Sequence, residues 1–206
     1  MIVRPKPNLI GVLTSLKGSI AKRIALRSLM VTLLASAIVL IETLHPSYFS
    51  KVSATPFTLL GLSLSIFMSF RNNACYDRWY EARKAWGDII VEVRSMIRET
   101  RIIKDARERH TILGNLCGFA HALNARLRKE NELAASGDWL QPIPEGGTQD
   151  ISGQILMQVG QQCSALSESG AINEWRYTII AGHLSSLTRA QAICERIKNT
   201  PLPFPY

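Results

Sequence analysis

The chain is poor in acid, lacks paired cysteines and, over one long stretch, has no charge at all. Its 16 acidic side chains are outnumbered by 24 lysines and arginines, for a net charge of +8 at pH 7. Such an excess suits a nucleic acid, an anionic membrane face or an acidic partner. Cys75, Cys117, Cys163 and Cys194 lie far apart with no CxxC pair. That excludes a disulfide framework or a cysteine zinc site and leaves reduced thiols. No GxSxG, GxxxxGKS/T, GxGxxG or HExxH string occurs, so the common nucleophile, phosphate-loop, dinucleotide and zinc-protease chemistries have no anchor. His45, His110, His121 and His183 stand alone. His121 and His183 have no carboxylate or thiol at ligand spacing and read as packed or solvated side chains. No enzyme activity, metal or cofactor is expected. Two-residue alternation is absent too, as is any internal repeat, so strands are not expected.

The charge-free stretch is residues 52–70, followed at once by FRNNACYDRWYEARKAWG. A helix needs roughly 20 apolar residues to cross a bilayer. An apolar span running into an aromatic and charged girdle is the pattern of a chain leaving a membrane. Arg71, Asn72, Asp77, Arg78, Trp79 and Trp86 are the girdle residues. Asp77 and Glu81 are i,i+4 neighbours beside Arg78 and Lys84, which points to salt bridges at a helix start rather than an acid–base pair.

An earlier apolar run, SLMVTLLASAIVLI, follows Lys22, Arg23 and Arg27. Residues 24–44 suffice for a span if Arg27 snorkels and Glu42 sits at the opposite interface. The competing reading is a signal peptide with Ala35-Ser36-Ala37 as cleavage site. Pro46 ends the first segment, and Pro56 sets the start of the second. The chain therefore divides into an N-terminal arm (1–20), a transmembrane hairpin (21–70) and a helical domain (71–206). Lysines and arginines cluster before the first span and after the second, so both ends lie in the cytoplasm. A mean hydropathy of only +0.07 keeps most of the chain outside lipid.

In the soluble part, Ile89, Ile90, Val93, Met96 and Ile97 recur at helical spacing. Further helices are expected at 107–128, 150–169 and 171–199, with a surface loop over 136–150. The basic groups Arg101, Lys104, Arg107, Arg109 and Arg126, Arg128, Lys129 are interleaved with Asp105, Glu108 and Glu130. They read as solvated helix faces, and no nucleic-acid partner is expected.

Within the second span, Leu59, Leu62, Ile66 and Phe70 form one helical stripe, and Gly61, Ser63, Ser65 and Ser69 supply small neighbours. Such a stripe faces lipid or a partner helix, or it rings an axis in an oligomer as a hydrophobic constriction.

The run SIFMSFRNNACYDRWYEARKAWG, together with CERIKNTPLPFPY at the end, resembles the bestrophins, and specifically their bacterial homologues, over essentially the whole chain. The resemblance implies an all-α, homopentameric ion channel embedded in the lipid bilayer of the bacterial inner membrane. Its second transmembrane helix lines a narrow neck, and a helical vestibule extends into the cytoplasm. It makes Leu62, Ile66 and Phe70 the neck residues, and suggests a second constriction on the 171–199 helix, with Ile180 as the expected side chain. The permeant species would be small monovalent ions, chloride as in animal relatives or sodium. Family members continue past PLPFPY with two more transmembrane helices, so the chain is expected to be part of a longer protein. The acidic calcium site of eukaryotic members lies after those helices, so no calcium gating is expected from these residues. The rival reading is a membrane-anchored cytoplasmic helical scaffold or sensor, which needs no ring.

Overall fold

The computed structural model describes residues 21–44, 53–142 and 150–200. The N-terminal arm, the turn after residue 44, residues 143–149 of the expected loop and the closing 201–206 segment lie outside the described residues. The chain divides into two compact units, Met1–Leu62 and Ser63–Tyr206.

The first unit holds α1 (Ala21–Leu44) and the opening turns of α2 (Thr55–Glu99). Between Arg27 and Glu42 α1 carries no charge, and its large side chains are exposed on every side. A helix without a polar face belongs in an apolar medium. Its two threonine hydroxyls are satisfied internally: Thr32 donates to the Ser28 carbonyl at 2.9 Å and Thr43 to that of Leu40 at 2.8 Å. In lipid no water would take those bonds. At the head of α2 the Thr55 N–H donates to Ser53 Oγ at 3.3 Å, and Pro56 occupies the first turn, where its missing N–H costs nothing.

α2 runs unbroken for 45 residues, about 68 Å at 1.5 Å per residue. The junction at Arg71 is a change of side chains within one helix, not a boundary between elements.

The second unit contains the rest of α2, then α3 (Ala106–Arg128), α4 (Glu132–Ser136), α5 (Ile151–Glu168) and α6 (Glu174–Asn199), with 3-10 turns at Thr100–Ile102 and Gly137–Trp139. Among the described residues there is no strand. The starts of α3, α5 and α6 are capped by local side chains. Asp105 accepts from the Arg107 N–H at 2.7 Å, Asp150 from Gly153 at 3.0 Å and Asn173 from Arg176 at 2.8 Å. Lys129 closes α3 in the left-handed region, φ 63°.

One core holds this unit together. α2 contributes Ile89 and Met96, α3 contributes Ile112, Leu116, Phe119 and Leu123, α5 contributes Ile155 and Val159, and α6 contributes Ile180 and Leu187. The expected surface loop is partly structured. Ser136 ends α4, the 3-10 turn follows, and Leu140 is buried against α3. Gly118 allows that approach, because a Cβ there would lie 2.6 Å from Leu140 Cδ2.

Candidate functional site

α2 carries most of the residues singled out from the sequence, and its helical phase sorts them. Leu62, Ile66 and Phe70 follow one another at four-residue steps and are 61%, 48% and 57% exposed in the single chain. The face that meets the core is a different one: Ala85, Ile89 and Met96 are buried, with Trp86 and Val93 packed against them. At 100° per residue, the directions of Phe70 and Ile89 differ by about 100°. Ala85 and Met96 lie about 60° and 80° round from Phe70, so Ile66 and Phe70 point to one side of the core-facing direction rather than along it.

The six girdle residues do not form one site. Arg71, Asn72 and Asp77 are exposed, while Trp86 packs on the core. Arg78 points across to the end of α6, where it donates to the Thr200 carbonyl at 2.5 Å and to the Ile197 carbonyl. The last carbonyls of a helix have no partner within it, so Arg78 caps α6 with a fixed positive charge. Trp79 is exposed, its ring 5.7 Å from Tyr76, with the Arg83 guanidinium 5.8 Å above it. Tyr76 also stacks on Tyr80 at 6.1 Å. Glu81 pairs with Arg196 of α6. The salt-bridge expectation thus holds for Glu81, but the partner lies 115 residues away.

Ile180 is 0% exposed and belongs to the core. On α6 the exposed large apolar side chains are Trp175, at 76%, and Ile179, at 36%.

Two polar arrangements escaped the sequence. His183 Nδ1 lies 2.7 Å from Glu92 Oε2 and ties α6 to α2. Arg126 of α3 gathers Glu195 at 2.8 Å, Glu132 at 3.2 Å and Asp150 at 3.4 Å. Burial alone would lower the Arg126 pKa; the carboxylates of Glu195, Asp150 and Glu132 outweigh it and hold the guanidinium above its ordinary value. Both arrangements join residues distant in sequence, so spacing could not reveal them. Burial raises the Cys163 thiol to about 11 and also raises that of Cys194, where Glu195 adds to the effect. Both are neutral thiols at physiological pH. Among the described residues no group of three or more His, Cys, Asp or Glu side chains is gathered for a metal.

The comparisons with known proteins agree with this architecture. The family model of bacterial and fungal bestrophins matches residues 1–206. A voltage-dependent anion channel-forming protein of Mesorhizobium japonicum is 34% identical over all of this chain and 68% of its own length. A protein of the same description from Salmonella typhi is 31% identical over all of this chain and 69% of its own. Among solved structures, a variant of the bestrophin homologue from Klebsiella pneumoniae superposes with a TM-score of 0.80 at 28% identity, over 91% of this chain and 70% of that one. With its helices in this order and its family signature spanning every residue, the chain belongs to the bacterial/fungal bestrophin family.

Proposed function

We propose that the chain is the subunit of a homopentameric ion channel in the bacterial inner membrane, with Leu62, Ile66 and Phe70 as its hydrophobic neck. The observation that carries this reading is the stripe itself. Three large apolar side chains fall within about 80° of one another on an unbroken helix, are exposed in the single chain, and lie off the direction of the buried Ala85, Ile89 and Met96. A lone span would leave such a stripe to lipid, as it leaves Leu60, Leu64 and Phe67, whereas copies arranged about an axis turn it on one another or on the lumen. An apolar constriction gates by dewetting and opens when it widens.

α1 and the first part of α2 are the two spans, with the N-terminus and the helical domain on the cytoplasmic side. Among the described residues, Ile24–Leu44 is the one helix long and apolar enough to cross a membrane by composition alone. The 52–70 stretch is diluted by Thr55, Thr58, Ser63, Ser65 and Ser69. That composition fits a helix shielded from lipid by neighbouring copies, since small residues favour close helix packing. An apolar neck holds no fixed charge, so small monovalent ions pass without strong binding. Relatives carrying the anion-channel description support transport of ions as the activity. A second constriction on α6, with Ile180 as its side chain, belongs to the assembled protein; in the single chain Ile180 is buried.

Purified full-length protein in planar bilayers tests the neck. The double variant Ile66→Ala, Phe70→Ala should raise conductance or open probability. Unchanged current from a correctly assembled double variant removes these residues from the gate. The rival, a membrane-anchored helical module, predicts a monomer or dimer by native mass spectrometry.

A further inference from the structure

The chain's surplus of positive charge does not follow the neck stripe into the soluble part of α2. Taking Phe70 as reference and 100° per residue, Asp77, Glu81, Lys84, Asp88 and Glu92 all lie within about 40° of it. Arg71 and Arg78 lie about 80–100° round toward the core, and Arg83 about 140° to the other side. The helix thus places its carboxylates on the neck's own face and turns its arginines off it.

The contacts bear out this sorting. Arg78 is committed to the α6 carbonyls and Arg83 sits over Trp79. Glu81 is paired with Arg196 and Glu92 with His183. Asp77 and Asp88 are exposed and, among the described residues, make no ion pair or hydrogen bond. Lys84, between them, is exposed as well. Asp77 comes first after the neck, about 10 Å beyond Phe70 along the helix.

We infer that Asp77 is a selectivity-determining residue. In the assembled channel its carboxylates ring the lumen immediately below the neck and favour cations over anions. The inference rests on the proposed pore, and it departs from the ion sign in the relatives' descriptions. The physical reason is that the neck has no charge, so the first fixed charges beside it set the sign of ion that accumulates there. Lys84 lies about 10 Å further on and opposes Asp88 rather than Asp77. Arg71 stands nearer the neck along the axis but about 100° off its face, and positive charge further away is screened over a Debye length of about 8 Å at physiological salt.

The test is the reversal potential of full-length protein in planar bilayers under a sodium chloride gradient. Wild type should reverse on the sodium side of zero. Asp77→Asn should move the reversal toward zero, and Asp77→Lys should carry it to the chloride side. Asp88→Asn should shift it less, and Arg83→Gln, off the neck face, not at all. Oligomeric mass is checked for each variant. A wild type that reverses on the chloride side overturns the inference. So does an assembled, conducting Asp77→Lys variant that reverses with wild type; in either case the channel reading stands. Assembled wild type without conductance overturns the channel reading and this inference with it.

Discussion

Among single side chains, Arg78 shows how a motif residue can serve structure rather than transport. Its guanidinium forks onto two carbonyls at the end of α6, which a helix cannot satisfy by itself. Arg78→Ala should lower stability by roughly 2 kcal/mol, as expected for a charge-assisted bond. Arg78→Lys should recover only part, since an ammonium cannot reproduce the fork. Thermal melting of the detergent-solubilised protein reads both, and two unchanged melting points would reduce Arg78 to a surface charge. The cysteines give a second prediction. Only a thiolate reacts readily, and Cys163 and Cys194 are buried with raised pKa values. A maleimide at neutral pH should label Cys75 and Cys117 in the folded subunit, and Cys163 and Cys194 only after unfolding, as read by intact mass. The linkage sign follows from the folded thiol being the weaker acid. Its contribution is fully present below the ordinary thiol pKa and is lost as pH rises through that value toward about 11. The melting temperature should therefore hold steady near neutral pH and fall above about pH 9.

Among elements, the helices were legible where periodicity and caps agreed. The expectation of 107–128 meets α3 at Ala106–Arg128, and 150–169 meets α5 at Ile151–Glu168, each opened by an aspartate cap. That Leu62, Ile66 and Phe70 share a helix was legible for the same reason, since four-residue spacing is a local property. The region around 136–150 was not. Gly137–Trp139 and Leu140 are held by contacts with α3, and composition alone suggested an open loop. Asn115 fixes the segment with two bonds to the Gln141 backbone, at 3.0 and 3.2 Å. Ile180 shows where spacing stops: an apolar residue on a helix looks the same whether it packs in a core or not, and in the single chain it is buried. The Gly118 contact gives the prediction at this scale. Gly118→Val pushes into Leu140 and should cost roughly 1–3 kcal/mol in denaturant unfolding, the usual range for overpacking. In a Leu140→Ala background the same change should cost clearly less. Equal costs in both backgrounds would mean the two residues do not touch in solution.

For the whole molecule, α2 is a helix with three assignments. One face meets the core through Ala85, Ile89 and Met96, and a second carries Ile66 and Phe70. The third, spread over about 80–180° from Phe70 in the direction opposite to Ala85 and Ile89, carries Tyr76, Trp79, Tyr80, Arg83, Ile90, Arg94 and Ile97, with the aromatic and aliphatic members exposed. If the second face looks inward at a ring axis, the first turns toward one side of the ring and the third toward the other. The third face then meets the neighbouring copy. This is a head-to-tail contact, and such contacts close into rings when the rotation between copies permits. Aromatic and arginine side chains are also the types that dominate protein contacts energetically. Trp79→Ala with Tyr80→Ala should therefore shift native mass from oligomer toward monomer. Helix content and the melting of the isolated subunit should be preserved, because neither side chain enters the core. An oligomer of unchanged mass and salt resistance in this variant would place the aromatic face against lipid headgroups instead, where tryptophan and tyrosine also collect. The ring would then have to be held by the membrane-spanning helices alone.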